Sequence, residues 1–406
     1  MINRSRALAI ASVVTAAVLG GCTGAGDPAN SAAPTVGEPT AGRCAIPSGP
    51  VAVVVSGRAN SPGPVLPARV REIVQQVVTG RPASRTGPAL SLVGLDGRPG
   101  VLAGGEFYSD AGNNFALEED RRNFLATFET SVRAVRASAP EVDVLAGLDT
   151  AAGAARDTAG EGTVAVVDSG LSTAGPLDFS VPHVLTAPVD EVIDFLRAYG
   201  AIPDLTGLTV ILGGIGDAAA PQDTLSPGQR RHLVELWTKI AQAGGATCVE
   251  VITVARSETA PDGVPPVKLV PIDPPPVFNP GDPGPTVLPD DDTVGFVPNK
   301  AEFRNPEGVR GALKPFAKWL ADDRSRRVTL TGTTARVGAR EGQIALGTER
   351  AAAVKSILVE LGADPNQIDT VGVGSYFPEY VPDHDANDIL LPGPAQQNRT
   401  VRITPA

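Results

Sequence analysis

Short apolar runs alternate with amphipathic stretches between residues 44 and 258. The runs are rich in β-branched residues and apolar at nearly every position, which is typical of strands buried on both faces of a sheet. The predicted strands are VAVVVSG (51–57), ALSLVGLDG (89–97), VDVLAGLDT (142–150), TVAVVDSGL (163–171), LTVILGGIG (208–216) and CVEVITV (248–254).

Helical spacing of apolar residues fills the intervals between these runs. The predicted helices cover residues 68–78, 119–138, 190–199 and 227–243. Ser226 is the predicted N-cap of the last helix, and Pro227 is its first helical residue. Alternating strands and helices predict a doubly wound α/β domain with a mostly parallel sheet, covering residues 44–258.

The pattern changes from about Thr293. A strand-like run, VGFVPNKAEF, is followed by the helical stretch PEGVRGALKPFAKWLADD and by the alternating run RRVTLTG. The helical stretch EGQIALGTERAAAVKSILVELG and the strand-like runs QIDTVGVGS and RTVRITP complete the chain. Residues 293–406 therefore predict a smaller βαβαββ domain whose helices pack on one face of the sheet.

Two stretches cannot bury a core of their own. Residues 22–43 are small, polar and rich in Pro and Gly, and they predict a flexible tether. Residues 259–292 are rich in proline, which favours extended polyproline-like backbone, and they predict a semi-rigid linker between the two domains.

The first 21 residues predict a secretory signal peptide, because MINRSR is basic and ALAIASVVTAAVLGG is apolar but short for a membrane span. The sequence Leu19-Gly20-Gly21-Cys22 resembles the bacterial lipobox. That resemblance implies cleavage before Cys22 and a lipid, with acyl chains such as palmitate, on its thiol. We expect a lipoprotein on the extracytoplasmic side of a cell membrane; the alternative is an ordinary secretory signal that ends near a cysteine.

The net charge bears on which partners the chain can bind, and the cysteine content bears on its disulfide bonds. The chain carries a net charge of −11, whereas nucleic-acid binding requires a basic face, so we expect no nucleic-acid partner. Besides Cys22, the chain contains Cys44 and Cys248, each just before a strand-like run. Paired cysteines usually form a bridge in an oxidising compartment, and we predict the disulfide Cys44–Cys248. Two unpaired thiols are the alternative.

Polar residues follow several predicted strands, where ligands bind in open α/β sheets. They are Ser56, Asn60, Asp96, Asp149, Asp168, Ser169, Ser172, Thr173 and Asp217. The stretch DSGLS (168–172) resembles the metal-dependent adhesion loop of von Willebrand A-like domains, D-x-S-x-S, which implies Asp168 and Ser172 as metal ligands. In that family the loop follows the first strand and its central residue is Ser, not Gly170. We therefore favour turn and capping roles.

The sequence lacks a catalytic constellation. The glycine-rich turn GGIGD (213–217) has no G-x-G-x-x-G spacing, and the three histidines are scattered. We expect no enzymatic activity, no cofactor and no metal. The alternative is an envelope enzyme or metal-dependent adhesin that uses Asp168, Ser169, Ser172 and Asp217.

The last quarter of the chain resembles the OmpA-like peptidoglycan-binding domains. The family pattern G-H-T-D-x-x-G, L-S-x-x-R-A-x-x-V, G-x-G and N-R-x-V is matched without a gap up to Gly374, and again from Asn398 to Val401. The matching residues before Asn398 are Gly332, Thr334, Gly338, Leu346, Arg350, Ala351, Val354, Leu358, Gly362, Gly372 and Gly374. The resemblance implies binding to the diaminopimelate of peptidoglycan stem peptides.

Three positions depart from the family: Ala335 replaces an aspartate, Gln343 an asparagine and Gly347 a serine. In the family, the aspartate pairs with the ammonium of diaminopimelate and the arginine, here Arg350, binds its carboxylate. The resemblance implies a peptidoglycan site formed by Arg350, Thr333, Thr334, Gly338, Gln343 and Asn398.

The missing aspartate leaves three hypotheses. In the first, which we favour, the domain binds peptidoglycan weakly through Arg350 and the backbone amides of residues 333–338. In the second, another carboxylate substitutes, from the set Glu341, Asp383, Asp385 and Asp388. In the third, wall binding is lost and the domain is a scaffold for another envelope protein.

Overall fold

The computed structural model describes residues 42–80, 84, 86–156, 160–272, 284–291 and 293–405. The predicted signal peptide, Cys22 and nearly all of the predicted tether lie outside the described residues. No helix in the described part of the chain is both long and apolar enough to cross a membrane.

The larger sheet has six strands in the order β3-β2-β1-β4-β5-β6. All neighbouring pairs are parallel except β2 and β3, which are antiparallel. The strands are β1 Val51–Ser56, β2 Thr86–Leu95, β3 Gly100–Tyr108, β4 Gly162–Val167, β5 Leu208–Gly213 and β6 Cys248–Ile252. Every residue of β1, β4 and β5 is buried, which explains their uninterrupted apolar sequence.

Five helices cover this sheet. They are α1 Ala68–Thr79, α2 Asn114–Arg133, α3 Val144–Ala154, α4 Val189–Ala198 and α5 Pro227–Ala243. Along β1, Val54 packs in the core with α3, α4 and α5, whereas Val53 and Val55 pack in the core with α1 and α2. The chain therefore has the predicted doubly wound α/β architecture. The cap of α5 is also confirmed, since Ser226 and Gln229 form a reciprocal capping box.

One sequence prediction in this domain is wrong, and one strand was not predicted. Residues 142–150 form the start of α3 and not a strand, because Asp143 caps the helix by accepting from the Ala146 amide at 3.0 Å. A short apolar run does not by itself distinguish a buried helix from a buried strand. The strand β3 was missed because it lies at the sheet edge, where Val101 and Leu102 are more than half exposed and the continuous apolar pattern is absent.

Cys44 and Cys248 form a disulfide with a Cα–Cα distance of 6.0 Å, which is the predicted pairing. The Cys44 amide donates to Glu250 at 2.9 Å, and its carbonyl accepts from Arg69 at 3.0 Å. Arg69 also pairs with Glu250 at 2.8 Å. The residue that follows the predicted tether is thus fixed to both β6 and α1.

The smaller sheet has four strands in the order β7-β10-β8-β9. Its elements are β7 Thr286–Pro289, α6 Pro306–Asp322, β8 Val328–Thr333, α7 Arg340–Glu360, β9 Ile368–Gly374, α8 Pro392–Asn398 and β10 Thr400–Pro405. α6 and α7 share one apolar core with the sheet. The order matches the predicted βαβαββ pattern, with the short helix α8 inserted before the last strand.

The predicted linker does not behave as a spacer along its described length. Its end contributes β7, which pairs with β10, whereas VGFVPNKAEF forms only a single bridge between Phe296 and Phe303. Its beginning packs on the α/β domain, because Val270 is buried and exchanges two hydrogen bonds with the Gln222 side chain. Apolar residues between the prolines therefore bind this segment to its neighbours; residues 273–283 lie outside the described residues.

Candidate functional site

Two glycines place helix α7 directly against strand β8. A Cβ atom on Gly347 would lie 2.5 Å from the Gly332 carbonyl oxygen, which is closer than any real side chain allows. The family serine therefore cannot be accommodated at Gly347 without moving the helix. This close packing brings Arg350, one turn further along α7, to the loop that follows β8.

The loop between β8 and α7 is held by polar contacts at both ends. The Thr334 amide donates to the Gly374 carbonyl at 3.0 Å. Gln343, which replaces the family asparagine, donates to the Gly338 carbonyl at 2.9 Å and accepts from Ser375 at 2.7 Å. Gly338 adopts a positive φ of 73°, which favours glycine at this position. Gln343 therefore ties the start of α7 to both the loop and the residue that follows β9.

Buried polar residues support the loop from behind. The Thr333 hydroxyl donates to the Asn398 carbonyl at 2.7 Å, and the Asn398 side chain donates to Asp383 at 3.1 Å. Asp383 also accepts from the Arg336 amide at 2.9 Å and from the Tyr380 hydroxyl at 2.6 Å. Burial alone would raise the pKa of Asp383, but these hydrogen bonds outweigh it and lower the pKa. Thr333 and Asn398 therefore position the loop.

The loop and α7 border a cavity of about 330 Å³. Of the six residues that the resemblance implied, Thr334, Gly338, Gln343 and Arg350 line this cavity. Ala335 lines it too, at the position of the family aspartate. Thr333 and Asn398 do not line it.

Arg350 is buried but incompletely paired. Its guanidinium lies over the Phe296 ring, 4.9 Å from the centroid, and its Nε donates to the Lys300 carbonyl at 3.1 Å. The nearest described carboxylate, that of Asp290, is 4.0 Å from Nη1. Burial lowers the pKa of Arg350 and the nearby Arg399 lowers it further, whereas Asp290 raises it. The terminal nitrogens are therefore available for a carboxylate ligand, which arginine binds in a bidentate manner.

The Thr334 hydroxyl is a second uncommitted group in the cavity. The residue is only 4% exposed, and Oγ1 has no hydrogen-bond partner among the described residues. Buried hydroxyls are nearly always paired, so an unpaired one lining a cavity indicates a place for a ligand or water.

The carboxylates named in the second hypothesis do not line the cavity. Asp383 is engaged behind the loop, Asp385 accepts from Tyr199 at 2.8 Å, and Asp388 pairs with Arg336 at 2.8 Å. Glu341 lies exposed in the first turn of α7. The carboxylates that do line the cavity are Glu191, Asp290 and Glu349.

Sequence reasoning missed four charged residues of the cavity: Glu191, Asp290, Glu349 and Arg399. Arg399 belongs to the Asn398–Val401 match, and this match is the sequence signal that could have identified it as a site residue. Asp290 lies in a run of three aspartates just after β7, inside the predicted linker. Glu191 lies on α4 of the α/β domain, and no sequence signal connects it with this site.

The strand ends of the α/β domain form a different arrangement. Both carboxylate oxygens of Asp168 accept from Arg58 at 2.9 Å, and both side chains are buried. The Ser172 hydroxyl donates to the Val142 carbonyl at 3.1 Å and accepts from the Val144 amide at 3.2 Å. These contacts agree with structural roles for Asp168 and Ser172. No group of three or more His, Cys, Asp or Glu residues suitable for a metal occurs within the described ranges.

Three further strand-end candidates are internally bonded or misplaced, whereas the buried Asn60 side chain has no hydrogen-bond partner among the described residues. Asp217 pairs with Arg230 and accepts from the Arg256 amide at 2.8 Å. Asp96 accepts from the Arg98 amide at 2.8 Å and from the Ser138 hydroxyl at 2.7 Å. Asp149 lies within α3 and not at the end of a strand.

A family model described as the OmpA family matches residues 295–388. Similar solved structures include the peptidoglycan-associated lipoprotein from Burkholderia pseudomallei (25% identity, 27% of this chain and 86% of that chain, TM-score 0.23). The periplasmic domain of Helicobacter pylori MotB is also similar (17% identity, 30% and 76%, TM-score 0.25), as is an outer membrane protein from Borrelia burgdorferi (21% identity, 30% and 86%, TM-score 0.21). No curated protein matches the chain. The chain therefore contains an OmpA-like domain, and the matched residues leave out the α/β domain.

Proposed function

We propose that this protein is a lipid-anchored protein of the cell envelope whose OmpA-like domain binds diaminopimelate-type peptidoglycan. One observation carries the proposal: a cavity at the family motif holds a buried, incompletely paired Arg350 and an unpaired Thr334 hydroxyl. An arginine held in this way binds a stem-peptide carboxylate. The anchor on Cys22 and the extracytoplasmic location rest on the sequence.

The proposed affinity is lower than that of a family member with the aspartate. Ala335 cannot pair with an ammonium, and truncating one partner of a buried charge pair costs about 2–5 kcal/mol. The proposed role is recognition, and the internal bonds of Asp168, Ser172 and Asp217 support it.

Co-sedimentation with insoluble peptidoglycan tests the proposal, using a soluble form of residues 42–406. We expect Arg350→Ala to weaken binding by about thirtyfold or more, because the carboxylate loses its partner. Arg340→Ala is the matched control, since Arg340 lies on the same helix but stacks on Tyr376 outside the cavity. Ala335→Asp is expected to tighten binding.

The outcomes separate the hypotheses. If the parent sediments, Arg350→Ala does not and Arg340→Ala does, the wall-binding site is the one described. If neither the parent nor Ala335→Asp sediments, wall binding is lost and a protein partner becomes the better explanation. The anchor has its own test: Cys22→Ser in the full chain is expected to release the protein from the membrane fraction.

A protein-interaction role is the second candidate because apolar side chains are exposed around β3. Val101, Leu102, Tyr108 and Phe115 are each more than half exposed. Exposed apolar groups at a sheet edge are typical of contact surfaces. This candidate predicts that Leu102→Ser abolishes an envelope contact while peptidoglycan sedimentation stays unchanged.

A further inference from the structure

The cavity is built by two domains. Most of its lining comes from the OmpA-like domain, but Pro188 and Glu191 belong to the start of α4 in the α/β domain. Both Glu191 carboxylate oxygens accept from Nη2 of Arg399, at 2.7 and 2.8 Å. The Tyr199–Asp385 hydrogen bond at the other end of α4 provides a second contact between the domains.

The charges that line the cavity are of both signs. Arg350 and Arg399 are the cations, and Glu191, Asp290 and Glu349 are the anions. A site lined by charges of both signs suits a ligand that carries both a carboxylate and an ammonium. Since Arg350 is available for the carboxylate, the question is which anion receives the ammonium.

Glu191 is the carboxylate best placed for that role. Asp290 faces cations of its own domain through both oxygens: Oδ1 accepts from the Phe296 amide at 2.9 Å and pairs with Arg304 at 2.8 Å, and Oδ2 lies 4.0 Å from Arg350. Glu349 is exposed on α7, where solvent screens its charge. Glu191 is partly buried, with its side chain 25% exposed, and among the described residues it bonds to a single nitrogen. A carboxylate accepts about four hydrogen bonds, so it retains capacity for an ammonium.

Helix α4 holds Glu191 in place. Val189, Val192 and Leu196 on the same helix are buried in the core of the α/β domain. Gly393 of α8 packs so closely on the neighbouring segment that an added Cβ would lie 2.7 Å from the Pro182 carbonyl oxygen. The carboxylate is thus presented to the cavity by a fixed element and not by a free surface chain.

We propose that Glu191 is a specificity-determining residue of the peptidoglycan site, and that it binds the ammonium of a zwitterionic ligand in place of the carboxylate absent at Ala335. This inference rests on the proposed function. Its consequence is that ligand selectivity requires the α/β domain, although the family motif lies wholly in the other domain.

Two related probes test the inference with residues 42–406: meso-diaminopimelate, and pimelate, the same diacid without amino groups. We expect the parent to prefer diaminopimelate in titrations at millimolar concentration. Glu191→Gln is expected to weaken diaminopimelate binding by about tenfold, whereas pimelate binding is expected to stay unchanged or to strengthen, because Arg399 loses its carboxylate partner. Asp190→Asn, the adjacent exposed carboxylate outside the cavity, is the matched control and is expected to change neither.

A rescue variant separates binding from folding. Adding Ala335→Asp to Glu191→Gln is expected to restore the preference for diaminopimelate, which a purely structural role of Glu191 does not predict. The inference is overturned if Glu191→Gln behaves like Asp190→Asn, if it weakens both probes equally, or if the parent shows no preference. In each of these cases the proposed function stands as long as Arg350→Ala still loses peptidoglycan, and it fails with the inference if the parent binds no peptidoglycan.

Discussion

The molecule contains two buried arginines that illustrate opposite uses of the same side chain. Arg58, at the strand ends of the α/β domain, meets both oxygens of Asp168 at 2.9 Å and the Ser169 hydroxyl at 2.8 Å. Arg350, in the OmpA-like domain, has its nearest carboxylate at 4.0 Å. The first arginine is satisfied by its own chain and the second is not. The two arginines therefore differ in their pairing and not in residue type or burial.

Incomplete pairing has an energetic consequence for the cavity. A buried charge or hydroxyl without partners destabilises the folded state, and a bound ligand that supplies the partners removes that cost. For this reason, the residues of a binding site commonly lower the stability of the unliganded protein. Variants can therefore test whether the contacts around Arg58 are paired more completely than those of the cavity around Arg350.

The largest change in stability is expected in the α/β cluster, formed by Arg58, Asp168 and Ser169. Asp168→Ala leaves Arg58 buried without its partner, which is expected to lower the free energy of unfolding by about 3–5 kcal/mol. Urea denaturation measures it, and peptidoglycan binding of the folded variant is expected to be unchanged. The control is Asp322→Ala, in the exposed pair with Lys318, with a change of about 0.5 kcal/mol or less. A similarly small loss for Asp168→Ala would mean that this cluster is no better paired than the cavity.

Next in size is the contact that positions Arg350. Gly347→Ala forces α7 away from Gly332, which we expect to lower the free energy of unfolding by about 1–3 kcal/mol and to weaken peptidoglycan binding. Gly311→Ala in α6 has open space around its Cβ and is expected to be neutral or stabilising by about 1 kcal/mol. Thermal unfolding and co-sedimentation of the two variants are the measurements. Equal effects would show that the close approach carries no strain.

Adjacent threonines give a smaller but sharper test. The Thr333 hydroxyl is bonded to Asn398, so Thr333→Val is expected to destabilise by about 1–2 kcal/mol. The Thr334 hydroxyl is unpaired, so Thr334→Val is expected to stabilise the unliganded protein by up to about 1 kcal/mol and to weaken ligand binding. Chemical denaturation with and without ligand measures both. Destabilisation by both substitutions would indicate that Thr334 is already satisfied.

The smallest effect is a dependence on acid pH. The lowered pKa of Asp383 means that its ionised form is favoured by folding. Its contribution is therefore fully present above the unfolded pKa of about 3.9 and is lost as the pH falls through the lower folded value. Asp383→Asn is expected to flatten the stability profile below about pH 4 and to lower stability at neutral pH. An unchanged acid profile would show that other carboxylates dominate it.

The sequence predicted more of the fold than of the site. Continuous apolar runs predict buried strands such as β1, β4 and β5, and Ser226 with Pro227 marks the start of α5. Edge strand β3 and helix α3 were missed because exposure weakens the first pattern and short length makes the second ambiguous.

Within the site, the motif located Arg350, Thr334 and Gln343 because their spacing along one loop and helix is local. Asp290 escaped because it directly follows β7, in a segment that was assigned to the linker. Glu191 escaped because its approach depends on how two domains pack, which is a property of tertiary contacts and not of any local pattern.

The disulfide also decides how the chain carries tension. A pull applied between the N-terminal segment and the OmpA-like domain reaches Cys44 and crosses covalently to Cys248, a jump of 204 positions. Residues 45–247, which include β1 to β5, therefore lie off the shortest covalent path, whereas Glu191 and Tyr199 within them still bond to the OmpA-like domain. In the oxidised protein, the covalent path from the N-terminal segment to the OmpA-like domain bypasses residues 45–247. Reduction of the disulfide would add all of them to that path.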